Sequence, residues 1–141
     1  MDEDPSSRRA DRAARAEQHA HAQRRRKDQE SAKAQVLVDR FVAQAVQADI
    51  PAEKLKARPW SGSGRYPTDV VGWYVRRDLS VGVSVDGGYY VLLVPPVRLG
   101  RWRTVHVEAS PPPLVVGEGG RDGDAVGLEK LLQLRLDEWG S

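Results

Sequence analysis

The chain has no cysteine, which excludes disulfides, thiolate metal sites and thiol nucleophiles together. It has one phenylalanine, and nowhere does it hold the run of about eighteen apolar residues that a membrane-spanning helix needs. From Asp2 to Gln35 there is no Val, Leu, Ile, Phe, Trp or Tyr. That stretch therefore offers neither a span nor the apolar centre of a signal peptide. It is Arg-rich in the manner of a transit peptide, yet it carries seven acids, which such peptides avoid. These absences lead us to expect a cytosolic protein held by packing alone.

Charge of one sign is also scarce. The formal net charge is +2, and residues 1–35 supply all of it with nine Lys/Arg against seven acids; the remainder has thirteen of each. The dense single-sign field of a dedicated duplex binder is missing, although Arg8–Arg15 and Arg24–Lys27 form local clusters.

A length of 141 residues allows one modest core. We read residues 1–34 as a charged, solvent-exposed helical arm, partly disordered, and 35–141 as a single small α+β domain. From Ser6 to Ala34 nearly every residue is a good helix former. The only apolar seam there is Ala10, Ala13, Ala16 and Ala20, too thin for an ordinary coiled coil. After Ala34, the spacing of Leu37, Val38, Phe41, Val42, Ala45 and Val46 puts them on one helical face, and Pro51 should end the helix near Asp49. Ser61-Gly62-Ser63-Gly64 reads as a hinge.

The middle reads as β. Gly72–Arg77 is an expected strand, with Trp73 and Val75 favoured inward over Tyr74 and Arg76. Val81, Val83 and Val85 alternate with small or polar residues, and Asp86-Gly87-Gly88 suits a two-residue hairpin loop. Such a loop puts Tyr90, Leu92 and Val94 on the same face as the valines. Pro95-Pro96 ends that strand. Thr104–Glu108 is a candidate further strand, and Pro111-Pro112-Pro113 is a stiff crossing into a short Leu114–Val116 strand. Asp124 is the expected N-cap of a closing helix with Leu128, Leu131, Leu132, Leu136 and Trp139 on one stripe, packed beside the Phe41 helix. The expected architecture is α+β: an antiparallel sheet of three to five strands packed against one or two helices, preceded by a long charged N-terminal helix.

Ala57-Arg58-Pro59-Trp60, Gly72-Trp73-Tyr74, Asp86 to Leu92, and Pro113 to Gly117 with Arg121-Asp122-Gly123 together resemble small uncharacterised proteins of high-GC actinobacteria, over roughly residues 50–132. The resemblance implies a shared fold and carries no activity, ligand or site residue.

The chemistry-bearing patterns are few. His19 and His21 project in nearly opposite directions from a helix and cannot share a metal. Asp122-Gly123-Asp124 opens like a calcium loop, but Val126 and Gln133 occupy positions that need oxygen ligands, so a turn with a helix cap explains it better. Gly119, Gly120 and Arg121 precede a helix and form a candidate anion site, with Glu118, Asp122 and Asp124 repelling phosphate. The serines of 61–64 lack a nucleophile elbow, and His106 is the one histidine outside the arm. No motif implies a cofactor.

One constellation mixes basic and aromatic residues: Arg58, Trp60, Arg65 and Tyr66; Tyr74, Arg76 and Arg77; Arg98, Arg101, Trp102 and Arg103. Guanidinium groups among rings suit single-stranded nucleic acid, although rings on a sheet more often serve packing. The sequence thus leads us to expect a non-enzymatic binding or adaptor module that engages another protein through its β surface and charged helix. Its alternative is weak single-stranded nucleic-acid binding, with Arg24, Arg25, Arg26, Lys27, Arg101, Trp102 and Arg103 as contacts. A more distant one is an enzyme with a pocket near Gly117–Asp124.

Overall fold

The computed structural model describes residues 4–117 and 125–138. Helix α1, Pro5–Gln47, is unbroken. It starts where Asp4 accepts from the Ser6 N–H and Pro5 takes the first helical position, whose N–H would be unused. It ends in a Schellman turn: Asp49 sits at φ 56, its N–H donates to the Val46 carbonyl, and the Ile50 N–H donates to that of Ala45. Ala34, Val38, Phe41 and Ala45 form the buried stripe, flanked by Leu37 and Val42. Val46, expected on that face, is 60% exposed, because it follows Ala45 directly and so lies about 100° round the helix from the buried stripe.

Five strands follow: β1 Glu53–Pro59, β2 Tyr66–Tyr74, β3 Val81–Ser84, β4 Tyr89–Val91 and β5 Leu93–Val94, in the order β4-β3-β2-β1-β5. All neighbours are antiparallel except β1 and β5. Strand β1 was not anticipated. Strand β2 begins six residues before the expected Gly72 and stops at Tyr74, short of Arg77.

The β3–β4 hairpin corrects the expected register. Val81 pairs with Val91, Gly82 with Tyr90 and Val83 with Tyr89. The Gly87 N–H donates to the Ser84 carbonyl, and the Ser84 N–H donates to that of Gly88, so the loop holds three residues, with Gly87 at φ 89. One extra residue moves every following side chain to the other face. Tyr89 therefore joins Val81 and Val83, whereas Leu92 and Val94 face away from them, and Val85 is left 47% exposed.

Leu92 is where the chain changes partner. Its N–H donates to the Ser80 carbonyl beside β3, and its own carbonyl accepts from the Arg58 N–H in β1. Because β4 and β5 are successive halves of one extended run, yet lie at opposite ends of the strand order, the sheet rolls into a small barrel. Leu55, Val70, Tyr74 and Leu92, then Ala57, Tyr66, Val94 and Val107, fill its inside. The space is narrow: a Cβ on Gly82 would lie 2.5 Å from Leu55 Cδ1. Thr104–Glu108 is no strand but carries one bridge, Val105 to Thr68.

On the barrel's outer face Trp73, Val75, Val81, Val83 and Tyr89 meet α1 and the closing helix α2, Leu128–Glu138. Trp73 and Val75 thus face the helices as expected, while Tyr74 is buried on the opposite side. Phe41 meets Trp73 edge to face, and Trp73 Nε1 donates to the Ile50 carbonyl at 2.9 Å. Helix α2 starts at Leu128, four residues beyond the expected cap, and Asp124 and Trp139 lie outside the described residues. A two-stranded ribbon, β6 Val115–Val116 with β7 Val126–Gly127, precedes it. Burial pulls the Arg135 guanidinium below its usual pKa, partly restored by Glu53, and its Nε donates to the Tyr74 carbonyl at 2.7 Å, tying α2 to β2.

Candidate nucleic-acid interface

Strand β1 alternates Lys54, Lys56 and Arg58 with buried Leu55, Ala57 and Pro59, so its cations all face outward. From Lys54 to Thr68 the chain has no acid, and from Gly87 to Val107 it again has none. The fold brings these two stretches together. Tyr66 is buried at the start of β2; its hydroxyl oxygen accepts from the Val97 N–H at 3.1 Å, and its ring lies against Gly100, where a Cβ would approach to 2.6 Å. This pins the segment after Pro96, including the single 3-10 turn Gly100–Trp102, beside the β1–β2 loop. The Arg101 side chain then lies over Gly64, with Nε 2.7 Å from where a Cβ would stand.

The result is an open groove of about 610 Å³ lined by Arg58, Pro59, Trp60, Gly62, Ser63, Gly64, Arg65 and Leu93, with Arg101 at its border. The supposed hinge at residues 61–64 forms its wall. Trp60 is held by its backbone, whose N–H donates to the Val94 carbonyl at 3.0 Å, but it is 66% exposed; Trp102 is 80% exposed. Exposed indoles cost solvation unless something covers them, so Trp60 in the groove and Trp102, next in the chain to Arg101 at its border, on two stretches without acids, mark the strongest candidate interface here.

The other sequence-selected residues scatter. Tyr74 is buried, and its hydroxyl oxygen accepts from the Lys56 N–H. Arg76 lies 3.7 Å from Asp78, and Arg77 lies 3.7 Å from Glu138, so neither joins the groove. Arg103 is exposed next to Trp102. Arg25 and Arg26 are exposed on α1, while Arg24 and Lys27 border a second groove of about 590 Å³ between α1, Tyr89, Val91 and Pro111 to Pro113. Glu30 closes one side of that groove by accepting from the Leu114 N–H. His106 is 72% exposed beside Glu108 rather than beside a serine. Gly119, Gly120 and Arg121, like most of the loop Gly117–Asp124, lie outside the described residues. Among the described residues, no three His, Asp or Glu side chains cluster as metal ligands would, and no helix is long and apolar enough to cross a membrane.

What the sequence reading missed was the wall of the groove. Leu93 reaches it through the partner change at Leu92, and Gly64 admits Arg101 only because it lacks a Cβ. The lack of acids over Lys54–Thr68 and Gly87–Val107 was the available signal. Comparison with known proteins gives no match, whether to family models, curated proteins or solved structures.

Proposed function

We propose that this protein binds single-stranded nucleic acid along the groove between the β1–β2 loop and the Gly100–Trp102 turn. The observation that carries the reading is the convergence of Arg58, Arg65 and Arg101 with the exposed Trp60, on segments free of acids, with the exposed Trp102 next in the chain to Arg101. Guanidinium groups neutralise phosphates and rings stack on unpaired bases, a division of labour that does not depend on sequence. The small barrel holds both in place, since their strands are locked by the bonds at Leu92 and Val94. The cysteine-free composition supports a cytosolic setting.

The test is anisotropy of a labelled oligonucleotide over a range of salt. Three phosphates neutralised in the groove give a log–log slope of roughly −2. Absence of binding at low salt would refute the reading.

A second reading, a protein partner on the domain surface and the charged helix, draws on the groove between α1 and Pro111 to Pro113, where Val91, 41% exposed, presents apolar surface between charged rims. Such a partner would bind equally well after Trp60→Ala and Trp102→Ala, which separates the two.

A further inference from the structure

The net charge of the arm is small because bases and acids nearly cancel in number, but they do not cancel in space. On an α-helix, with about 100° per residue, Arg8, Arg12, Arg15, His19 and Arg26 fall within about 40° of one line. Glu17 lies on the opposite side of the helix, and Asp11 on the flank. Arg8, Arg9, Arg12 and Arg15 together line one surface hollow. The row from Arg8 to Arg26 is about 27 Å long at 1.5 Å per residue, and the side chains along this stretch of α1 are exposed, Ala22 alone being half-covered.

We infer that this row is a second nucleic-acid contact, one that takes duplex, so that the protein recognises a duplex continued by a single-stranded tail. The inference rests on the groove reading above and adds the duplex to it. A stiff line of cations fits a stiff lattice of phosphates, and a helix about 10–12 Å across matches the major groove, about 12 Å wide. From Asp2 to Gln35 the arm has no large apolar residue, so it lacks the stripe with which a helix would pair with a second copy or sink into a bilayer. The two contacts are joined through the domain's edge: the arm leaves the domain at the hollow lined by Arg24 and Val91, with Arg24 about 160° round the helix from the row, and Leu93, in the wall of the single-strand groove, is two residues beyond Val91, about 7 Å.

The experiment compares the full chain on a single-stranded oligonucleotide, a blunt duplex, and the same duplex carrying a single-stranded tail, with phosphatidylserine vesicles as a competing anionic surface. We expect the tailed duplex to bind at least about tenfold more tightly than either part alone, as two linked contacts should. Combined Arg12→Gln, Arg15→Gln and Arg26→Gln should remove that advantage and leave single-strand affinity within about twofold, since glutamine keeps helix propensity and the sites are separate. Circular dichroism of the variant checks that the helix is retained. Equal affinity for tail and tailed duplex would overturn the duplex contact while leaving the groove reading intact. Loss of single-strand affinity in the arm variant would overturn the division between the two contacts, and failure to bind any oligonucleotide would overturn both readings. Vesicles displacing the tailed duplex through the same three arginines would assign the row to membranes and so overturn the inference.

Discussion

Arg58 donates its backbone N–H to the carbonyl of Leu92 at 2.8 Å, joining the last strand of the sheet to the first. Leu92 makes this possible from a fully buried position among Leu55, Val70 and Tyr74. The bond that closes the barrel and the side chain that fills it therefore belong to the same residue.

Leu92→Ala should lower stability by about 2–5 kcal/mol, the usual range for emptying a core site that cannot collapse. Chemical denaturation measures it. A loss below about 1 kcal/mol would mean that the barrel interior relaxes to fill the space.

Gly87→Val should cost more than about 1 kcal/mol, because a β-branched residue is poorly tolerated at positive φ. The same glycine faces Asp39, whose Oδ1 would lie 2.9 Å from an added Cβ. Gly62→Val, at φ 87 with open space around it, serves as the comparison that isolates the backbone strain. A larger loss at position 87 than at 62 measures what the contact with α1 adds.

Alkali should destabilise the protein through Tyr89. Burial pushes its hydroxyl from 10.0 up to about 12, against a smaller opposing effect of Arg76. Below pH 10 the folded and unfolded forms both hold the proton; between 10 and 12 the unfolded chain loses it first, so stability falls as pH rises. The full loss is of order 2–3 kcal/mol. Tyr89→Phe should flatten the decline in stability measured from pH 9.5 to 11.5, and an unchanged slope would reassign it to other groups.

Trp60→Ala and Trp102→Ala should each weaken oligonucleotide binding by about 1–3 kcal/mol without changing the salt slope, since a ring stacks on a base and neutralises no phosphate. Arg58→Gln and Arg65→Gln should instead make the slope shallower. Anisotropy titrations at four salt concentrations distinguish the two behaviours.

How far the fold could be read in advance depended on how local the controlling interaction was. Ala34, Val38, Phe41 and Ala45 recur at helical spacing, and Leu128, Leu131 and Leu132 do the same, so both helices and their meeting were legible. The pairing of β3 with β4 was legible too, but its register turned on one residue of loop length, which Asp86-Gly87-Gly88 leaves open until the Ser84–Gly88 hydrogen bond is seen. Strand β1 escaped because only Leu55 is a large apolar residue, and flanking prolines made the segment resemble a connector. In the candidate site the cations and indoles could be picked out individually. Their convergence could not, because it depends on Tyr66 reaching across thirty-one residues to Val97.

The rolled sheet has a further consequence for how anything can attach to it. An open sheet exposes unpaired N–H and C=O groups to which a foreign strand can add, the usual start of edge-to-edge polymerisation. Here the run that would form both rims is spent on its own chain: Leu92 serves β3 and β1, and the outward Tyr89 carbonyl accepts from the Ser110 N–H. A visiting strand is thereby turned away at Tyr89 and at Leu92, and recognition at these positions falls to side chains rather than to backbone.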